Sequence, residues 1–128
     1  MKRFLLALGA MLILTGGAGE VPTSPSGSAN AVNPYEGDAD AIESGAALFR
    51  RVSCHGCHSG NARGGTGPDL TDDVWMRQPS DEMIFNVIKF GRRGTMMSPF
   101  KDDLDDDQIW HLVSYIRELG RLRKAEGD

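Results

Sequence analysis

The chain has few cysteines, few basic residues and no long apolar run, and each shortage excludes a class of protein. Its 128 residues contain 2 cysteines, and 14 Lys and Arg side chains stand against 18 Asp and Glu side chains. Because an acidic protein repels phosphates, this balance argues against nucleic-acid binding. The main apolar run, from Phe4 to Leu14, is shorter than the about 20 apolar residues that span a bilayer. The length leaves room for one small domain.

The N-terminal residues have the layout of a secretory signal peptide. Lys2 and Arg3 precede the apolar run, and the small residues TGGAG follow it. This order of charge, apolar core and cleavage site predicts a signal peptide at residues 1–19, cut after Ala18 or Gly19. Export to the periplasm follows. The alternative is an uncleaved N-terminus that tethers the protein to the membrane.

Composition divides the rest of the chain into a tether, a folded domain and a tail. Residues 20–37 are rich in Pro, Ser, Gly, Ala and Asn and lack apolar periodicity, which predicts a flexible linker. We expect the folded domain at residues 38–124 and a short tail at 125–128.

Both cysteines lie in the stretch SCHGCHSG, residues 53–60. In an oxidising compartment, Cys54 and Cys57 could form a disulfide. Thioredoxin-like redox pairs, however, follow a strand in a βαβ pattern, and no convincing strand pattern is present. A zinc ion needs four ligands placed tetrahedrally, and these cysteines with His55 and His58 are too crowded for that. C-x-x-C-H is instead typical of covalent c-type haem attachment, in which each thiol adds to a vinyl group and His58 reaches the iron.

Three segments have the patterns of helices. The first is expected from Ala39 to Val52, with Ile42, Ala46 and Phe49 on one apolar face. Its interior contains Gly45, which costs about 1 kcal/mol relative to Ala in a helix.

The other two helices are marked by their ends. One has Ser80 as its N-cap and Gly91 as its stop. The last begins at a capping box formed by Asp105 and Gln108 and is expected to end at Gly120. Its buried stripe comprises Ile109, Leu112, Val113, Ile116 and Leu119. These three patterns together predict an all-α fold.

Four motifs occur in an order that resembles the class I cytochromes c, the small monohaem electron carriers. They are GAALFRRVSCHGCH, TGPDL, GTMMSPF and LDDDQIWHLVSYIREL, and the resemblance runs from about Ile42 to Leu119. It implies an all-α fold of about four short helices packed around one haem, which is attached covalently through Cys54 and Cys57. It also implies close contact between the first and last helices at Gly45.

The resemblance places the second iron ligand, a methionine, on the loop before the last helix, commonly three residues before an aromatic. In GTMMSPF, Phe100 then indicates Met97. Met96 stays an alternative, because Ser98 interrupts the Met-Pro order that is common in the family. The expected iron ligands are therefore His58 and Met97. Such a pair raises the reduction potential and leaves no open position on the iron, which favours an electron carrier over an enzyme.

Further site residues follow from the same resemblance. Pro68 is expected to accept the hydrogen bond of the ligating imidazole, and Leu70 to pack beside the haem. Trp75 is expected near a haem propionate, where its indole N–H has an acceptor. Arg93, or its neighbour Arg92, is a candidate to neutralise a propionate.

The remaining histidines are expected on the surface and not at the iron. His55 sits between the two cysteines and is expected to face solvent, and His111 lies off the apolar stripe of the last helix. Bis-histidine ligation is therefore the weaker alternative to His/Met ligation.

These features predict an exported monohaem c-type cytochrome, a monomer, that carries single electrons between redox proteins. The resemblance implies as donor a periplasmic dehydrogenase such as a quinoprotein, or a quinol-oxidising complex, and as acceptor a terminal oxidase. The acidic run DDLDDD caps a helix, and its excess charge could also dock a basic partner. Two alternatives stay open: a small-molecule-binding or peroxidase-like cytochrome with a labile sixth ligand, and a disulfide-bearing interaction domain without haem.

Overall fold

The computed structural model describes residues 31–72 and 79–127. Four helices form this part of the chain: α1 (Ala39–Arg51), α2 (His55–His58), α3 (Asp81–Phe90) and α4 (Asp106–Ala125). The two ranges contain no strand, so the predicted all-α class is confirmed. None of their helices is both long and apolar enough to cross a membrane. The expected signal peptide and Trp75 lie outside the described residues.

Helices α1 and α4 meet at a glycine. At Gly45 a Cβ atom would lie 2.1 Å from the carbonyl oxygen of His111 and 2.8 Å from Cβ of Tyr115. Because any side chain would collide there, only glycine lets the two helices come this close. The expected contact between the first and last helices is therefore present.

The buried face of α1 is rotated by about one residue from the predicted one. Its buried positions are Ala41, Gly45, Leu48 and Phe49. Ile42 and Ala46, which were expected on this face, are only partly buried. Gly45 lies on this face against α4. A count of apolar side chains does not detect it, because glycine has no side chain.

Helix α3 has the predicted ends. The hydroxyl of Ser80 accepts a hydrogen bond from the backbone N–H of Met83 at 3.1 Å. Gly91, with a φ of +71°, follows the last helical residue. A positive φ of this size is readily adopted by glycine, which explains why the helix stops there.

Helix α4 begins where the sequence predicts and ends later. The side chain of Asp105 accepts from the backbone N–H of Gln108 at 2.8 Å, and the Gln108 side chain accepts from that of Asp105 at 3.1 Å. The predicted stop at Gly120 is wrong, because the helix continues to Ala125. Glycine weakens a helix without forbidding it, and the additional turn is held by an ion pair between Arg123 and Asp69.

Part of the segment predicted as linker packs against α4. Asn33 is 4% exposed, and its side-chain amide donates to the hydroxyl of Ser114 at 2.9 Å. That hydroxyl donates to the carbonyl of Tyr35, also at 2.9 Å. The Tyr35 ring meets the ring of His111 edge-on, with centroids 4.6 Å apart. The contacts are mostly polar and satisfy a buried serine, so apolar periodicity does not reveal them.

The core is formed by α1, α3 and α4. Its largest fully buried side chains are Phe49, Ile109, Leu112 and Val113. Helix α3 joins through Phe85, whose ring stacks on Trp110 with centroids 4.3 Å apart. Ile84 and Ile88 of α3 and Ile116 of α4 also reach the wall of a cavity, which forms the candidate site.

Candidate cofactor site

A cavity of about 310 Å³ lies between the C-x-x-C-H turn and the methionine loop. This volume falls within the range of small-molecule and cofactor pockets. Its apolar walls come from Leu70, Ile84, Val87, Ile88 and Ile116. Cys57, His58 and both Met96 and Met97 also line it, so the cavity brings together the predicted attachment turn and the predicted methionine ligands.

His58 is held by a carbonyl group in one orientation. Its backbone N–H donates to the carbonyl of Cys54 at 3.0 Å, which fixes the residue at the end of the turn. The imidazole Nδ1 lies 2.9 Å from the carbonyl oxygen of Pro68. Because a carbonyl oxygen only accepts, Nδ1 carries the proton, and Nε2 keeps its lone pair for a metal. The expected contact between His58 and Pro68 is present.

Gly67 is a site residue that sequence reasoning missed. A Cβ atom at this position would lie 2.7 Å from Cε1 and 2.9 Å from Nδ1 of His58. Its backbone N–H donates to the carbonyl of Cys57 at 2.8 Å. Any side chain here would therefore displace the imidazole. The available signal was the glycine directly before the proline in TGPDL.

The two cysteines differ in their surroundings. Cys54 is partly buried and packs against the core, whereas Cys57 is exposed at the cavity. Burial raises the pKa of the Cys54 thiol to about 11. Reactive cysteines usually have a lowered pKa, because the thiolate is the nucleophile. The environment of Cys54 is thus unlike that of a catalytic thiol.

The methionine loop is anchored to the end of α3. The carbonyl of Met97 accepts from the backbone N–H of Arg92 at 3.0 Å, and Phe100 N–H donates to the carbonyl of Ile88 at 3.1 Å. Gly91 allows this fold, because a Cβ atom there would lie 2.7 Å from the Met97 carbonyl oxygen. Met97 is partly buried against the core, while Met96 is 83% exposed.

The remaining predicted residues divide between the cavity and other places. Leu70 lines the cavity and packs against the core. Both Arg92 and Arg93 are exposed, and Arg92 is the one that lines the cavity. Trp75 lies outside the described residues, so its predicted role stays a prediction.

The structure corrects the surface placement of one of the two other histidines. His55 is exposed, as expected. His111 is instead partly buried at the contact of α1 and α4, with Nδ1 3.1 Å from the hydroxyl of Ser44. Its edge-on ring contact with Tyr35 and its hydrogen bond with Ser44 involve residues remote in the chain, so the pattern of α4 alone did not indicate them. Neither histidine lines the cavity.

Residues 40–116 match a protein family described as cytochrome c oxidase, cbb3-type, subunit III. The chain belongs to the cytochrome c family. Its all-α fold agrees with that assignment, and family membership makes it a haem-containing electron-transfer protein.

Individual relatives support the same family. This cytochrome is 35% identical over 89 residues to cytochrome c-L of Methylorubrum extorquens, which covers 68% of this chain and 44% of that protein. It is 34% identical over 88 residues to the cbb3-type cytochrome c oxidase subunit FixP of Sinorhizobium medicae, covering 62% and 30%. The crystal structure of cytochrome cL from Methylophaga aminisulfidivorans matches with a TM-score of 0.60 at 30% identity, covering 74% of this chain and 71% of that one. The chain thus spans less than half the length of the cytochrome c-L from Methylorubrum extorquens and of the FixP subunit.

The residues of the cavity fit a haem. Its apolar walls suit a large apolar macrocycle. The Nδ1 of His58 is hydrogen-bonded to the Pro68 carbonyl, which leaves Nε2 as the nitrogen that can bind a metal. An imidazole and a thioether are the axial ligands of electron-transferring cytochromes c. Both kinds of ligand line this one cavity, together with the thiol of Cys57.

Proposed function

We propose that this cytochrome is an exported electron carrier with one haem, attached covalently through Cys54 and Cys57 and ligated by His58 and Met97. The observation that carries the proposal is that His58 and Met97 line one apolar cavity while the Pro68 carbonyl holds Nδ1 of the imidazole. When bound, the haem supplies one-electron redox chemistry.

Met97 is the preferred methionine because it is partly buried and packs against the core. Its backbone is fixed at both polar atoms, since its carbonyl accepts from Arg92 and its N–H donates to the hydroxyl of Thr95 at 3.2 Å. Met96 is 83% exposed, so most of its side chain faces solvent. These differences favour Met97 and leave Met96 at the rim.

The protein's own residues favour transfer over catalysis. The hydrogen bond from His58 to Pro68 keeps the imidazole in one tautomer and one orientation, which limits rearrangement when the iron changes its charge. A permanent methionine closes the position at which oxygen or peroxide would bind. The apolar walls keep water away from the centre. Arg92, on the cavity wall, is placed to neutralise a propionate.

The proposed partners are other redox proteins of the periplasm. We propose a dehydrogenase such as a quinoprotein, or a quinol-oxidising complex, as the donor, and a terminal oxidase as the acceptor. The support is that the relatives are named as a cytochrome c-L and as oxidase subunits. The predicted signal peptide supports export. We propose that the protein acts as a monomer and binds no nucleic acid. Stopped-flow rates of reduction by each purified donor test the assignment of partners.

The visible spectrum of the exported protein tests the central proposal. The protein is produced in a strain that has the c-haem attachment machinery, and its spectrum is recorded oxidised and reduced. Covalent haem with the weak far-red Met-to-iron charge-transfer band is the expected result. Haem without that band, together with carbon monoxide binding to the reduced protein, would favour the labile-ligand cytochrome instead. A colourless protein would refute haem binding altogether.

A further inference from the structure

The last turn of α4 is tied to the loop that carries Pro68. A guanidinium N–H of Arg123 donates to Asp69 Oδ2, and the same nitrogen donates to Thr71 Oγ1 at 2.9 Å. Asp69 Oδ1 accepts from both the backbone N–H and the hydroxyl of Thr71, each at 2.7 Å. We call these three residues the Arg123 clasp.

The clasp is shielded from water. The side chains of Arg123 and Asp69 are 20% and 21% exposed, and Thr71 is 4% exposed. Burial acts to raise the pKa of the Asp69 carboxyl, but the hydrogen bonds from Thr71 and Arg123 outweigh it and lower that pKa. Charge-assisted hydrogen bonds in partly buried positions are stronger than exposed ion pairs.

The clasp adjoins the group that holds the imidazole. Asp69 is bonded directly to Pro68, whose carbonyl oxygen lies 2.9 Å from His58 Nδ1. The same loop is anchored locally, because Gly67 N–H donates to the Cys57 carbonyl at 2.8 Å. Arg123 anchors it from 54 residues away in sequence. Leu70 N–H also donates to the Ala62 carbonyl at 2.8 Å. The position of the Pro68 carbonyl therefore depends on local anchors at Gly67 and Leu70 and on the remote anchor at Arg123.

A favourable interaction with the helix dipole does not by itself explain why Arg123 reaches the Pro68 loop. Cations near the C-terminus of a helix are favourable wherever they point. Arg121, two residues earlier, supplies such a charge and pairs with Glu118 of the same helix. Arg123 instead reaches the loop, where Gly120 also allows close approach, because a Cβ atom there would lie 3.3 Å from the carbonyl oxygen of Thr71.

We propose that Arg123 is a positioning residue that sets the reduction potential through the Pro68 carbonyl. This inference rests on the proposed function and deepens it. A hydrogen bond from Nδ1 raises the basicity of a ligating imidazole, and a more basic ligand favours ferric iron. Loss of the clasp loosens the Pro68 carbonyl, weakens that hydrogen bond and raises the reduction potential.

The test compares midpoint potentials of the holoprotein in redox titrations. The variants are Arg123→Ala, Arg123→Lys and Asp69→Asn, and the matched control is Arg121→Ala. We expect Arg123→Ala and Asp69→Asn to raise the midpoint, so that the ratio of reduced to oxidised protein at the wild-type midpoint rises at least about threefold. Arg123→Lys should lie in between, because an ammonium group cannot reproduce the guanidinium geometry. The control should keep the wild-type midpoint.

Melting temperatures and the far-red band separate the explanations. Midpoints of Arg123→Ala and Asp69→Asn equal to that of Arg121→Ala, even with a lower Tm, would show a purely structural contact and overturn the inference. If Arg123→Ala does not accumulate, Asp69→Asn and Arg123→Lys decide by the same criterion. A far-red band in every protein keeps the proposed function intact whatever the midpoints are, whereas its absence from the wild type overturns both.

Discussion

The two sides of the cavity are held in different ways. On the His58 side, the Pro68 carbonyl accepts from the imidazole, and the Arg123 clasp holds the residues that follow Pro68. This side combines contacts local in sequence with contacts from the far end of α4. On the methionine side, the loop is anchored to the nearby end of α3, through hydrogen bonds from Phe100 to Ile88 and from Lys101 to Lys89. Met96, on this side, is 83% exposed.

This difference indicates a division of roles. The His58 side is supported by two parts of the chain and suits a permanent ligand. The methionine side is supported over a shorter stretch, so under the proposed function we expect its ligand to be the easier of the two to displace by mutation. Substitutions on the two sides should therefore have different effects on the spectrum, on carbon monoxide binding and on stability. The following predictions test that difference, from the largest expected effect to the smallest.

Removing the imidazole should have the largest effect. We expect His58→Ala to abolish the wild-type spectrum and to reduce the yield of correctly ligated holoprotein by about tenfold or more, since one axial ligand is lost. The measurement is the visible spectrum of exported protein normalised to total protein. His55→Ala, at an exposed neighbouring position, is the control and should keep the wild-type spectrum. An unchanged spectrum in His58→Ala would contradict the ligand assignment.

Removing the methionine should have a large but different effect. We expect Met97→Ala to retain covalent haem, to lose the far-red band and to bind carbon monoxide when reduced, because the sixth position opens. Met96→Ala is the matched control and should keep the band and exclude carbon monoxide. Loss of the band in Met96→Ala with its retention in Met97→Ala would reverse the assignment of the two neighbours.

Glycine substitutions should weaken each side separately. Gly67→Ala places a Cβ atom 2.7 Å from the His58 ring, and we expect it to destabilise the holoprotein by about 1–3 kcal/mol and to alter its potential. The measurement is denaturant unfolding together with redox titration. Gly56→Ala, where a Cβ atom would meet nothing within 4 Å, is the control. Equal stability and potential in Gly67→Ala and the wild type would contradict the close packing of the imidazole.

The corresponding change on the methionine side is Gly91→Ala. It combines a φ of +71° with a Cβ atom 2.7 Å from the Met97 carbonyl oxygen, so we expect a loss of about 1–3 kcal/mol and some carbon monoxide binding. Gly94→Ala has a φ of +76° with nothing within 4 Å and isolates the backbone strain. Equal stability and equal carbon monoxide binding in Gly91→Ala and Gly94→Ala would contradict a role for the contact with Met97.

Acid should have the smallest effect and should act on the His58 side. The pKa of Asp69 in the folded protein is lowered from its ordinary value of 3.8. The ionised carboxylate therefore stabilises the fold above that value, and this contribution is lost as the pH falls through the lowered pKa. We expect it to be about 1 kcal/mol. Unfolding of wild type and Asp69→Asn at pH 7 and pH 3 measures it, and a stability difference that is the same at both pH values would contradict the prediction.

Much of the fold could be predicted from local sequence, and so could the C-x-x-C-H turn on one side of the cavity. The C-x-x-C-H motif, the cap at Ser80 and the capping box of Asp105 with Gln108 involve residues within a few positions of one another, and short-range geometry decides such patterns. Gly45 could also be predicted, through the resemblance to class I cytochromes c.

The errors share a physical cause. The stop predicted at Gly120 was overridden by a contact between Arg123 and Asp69, which are 54 residues apart. His111 was expected on the surface, and its environment comes from Ser44 and Tyr35. In each case the deciding partner lies far away in the chain.

The sequence by itself determined which chemistry could be proposed, because residue types and short spacings predict a haem-attachment turn and the helix starts at Ser80 and Asp105. Only the tertiary structure decided which neighbours line the cavity. Arg92 rather than Arg93 lines it, and Gly67 lies against the His58 ring. Those placements depend on the path of the loops that follow α2 and α3, which is set by hydrogen bonds such as those from Gly67 to Cys57 and from Arg92 to Met97.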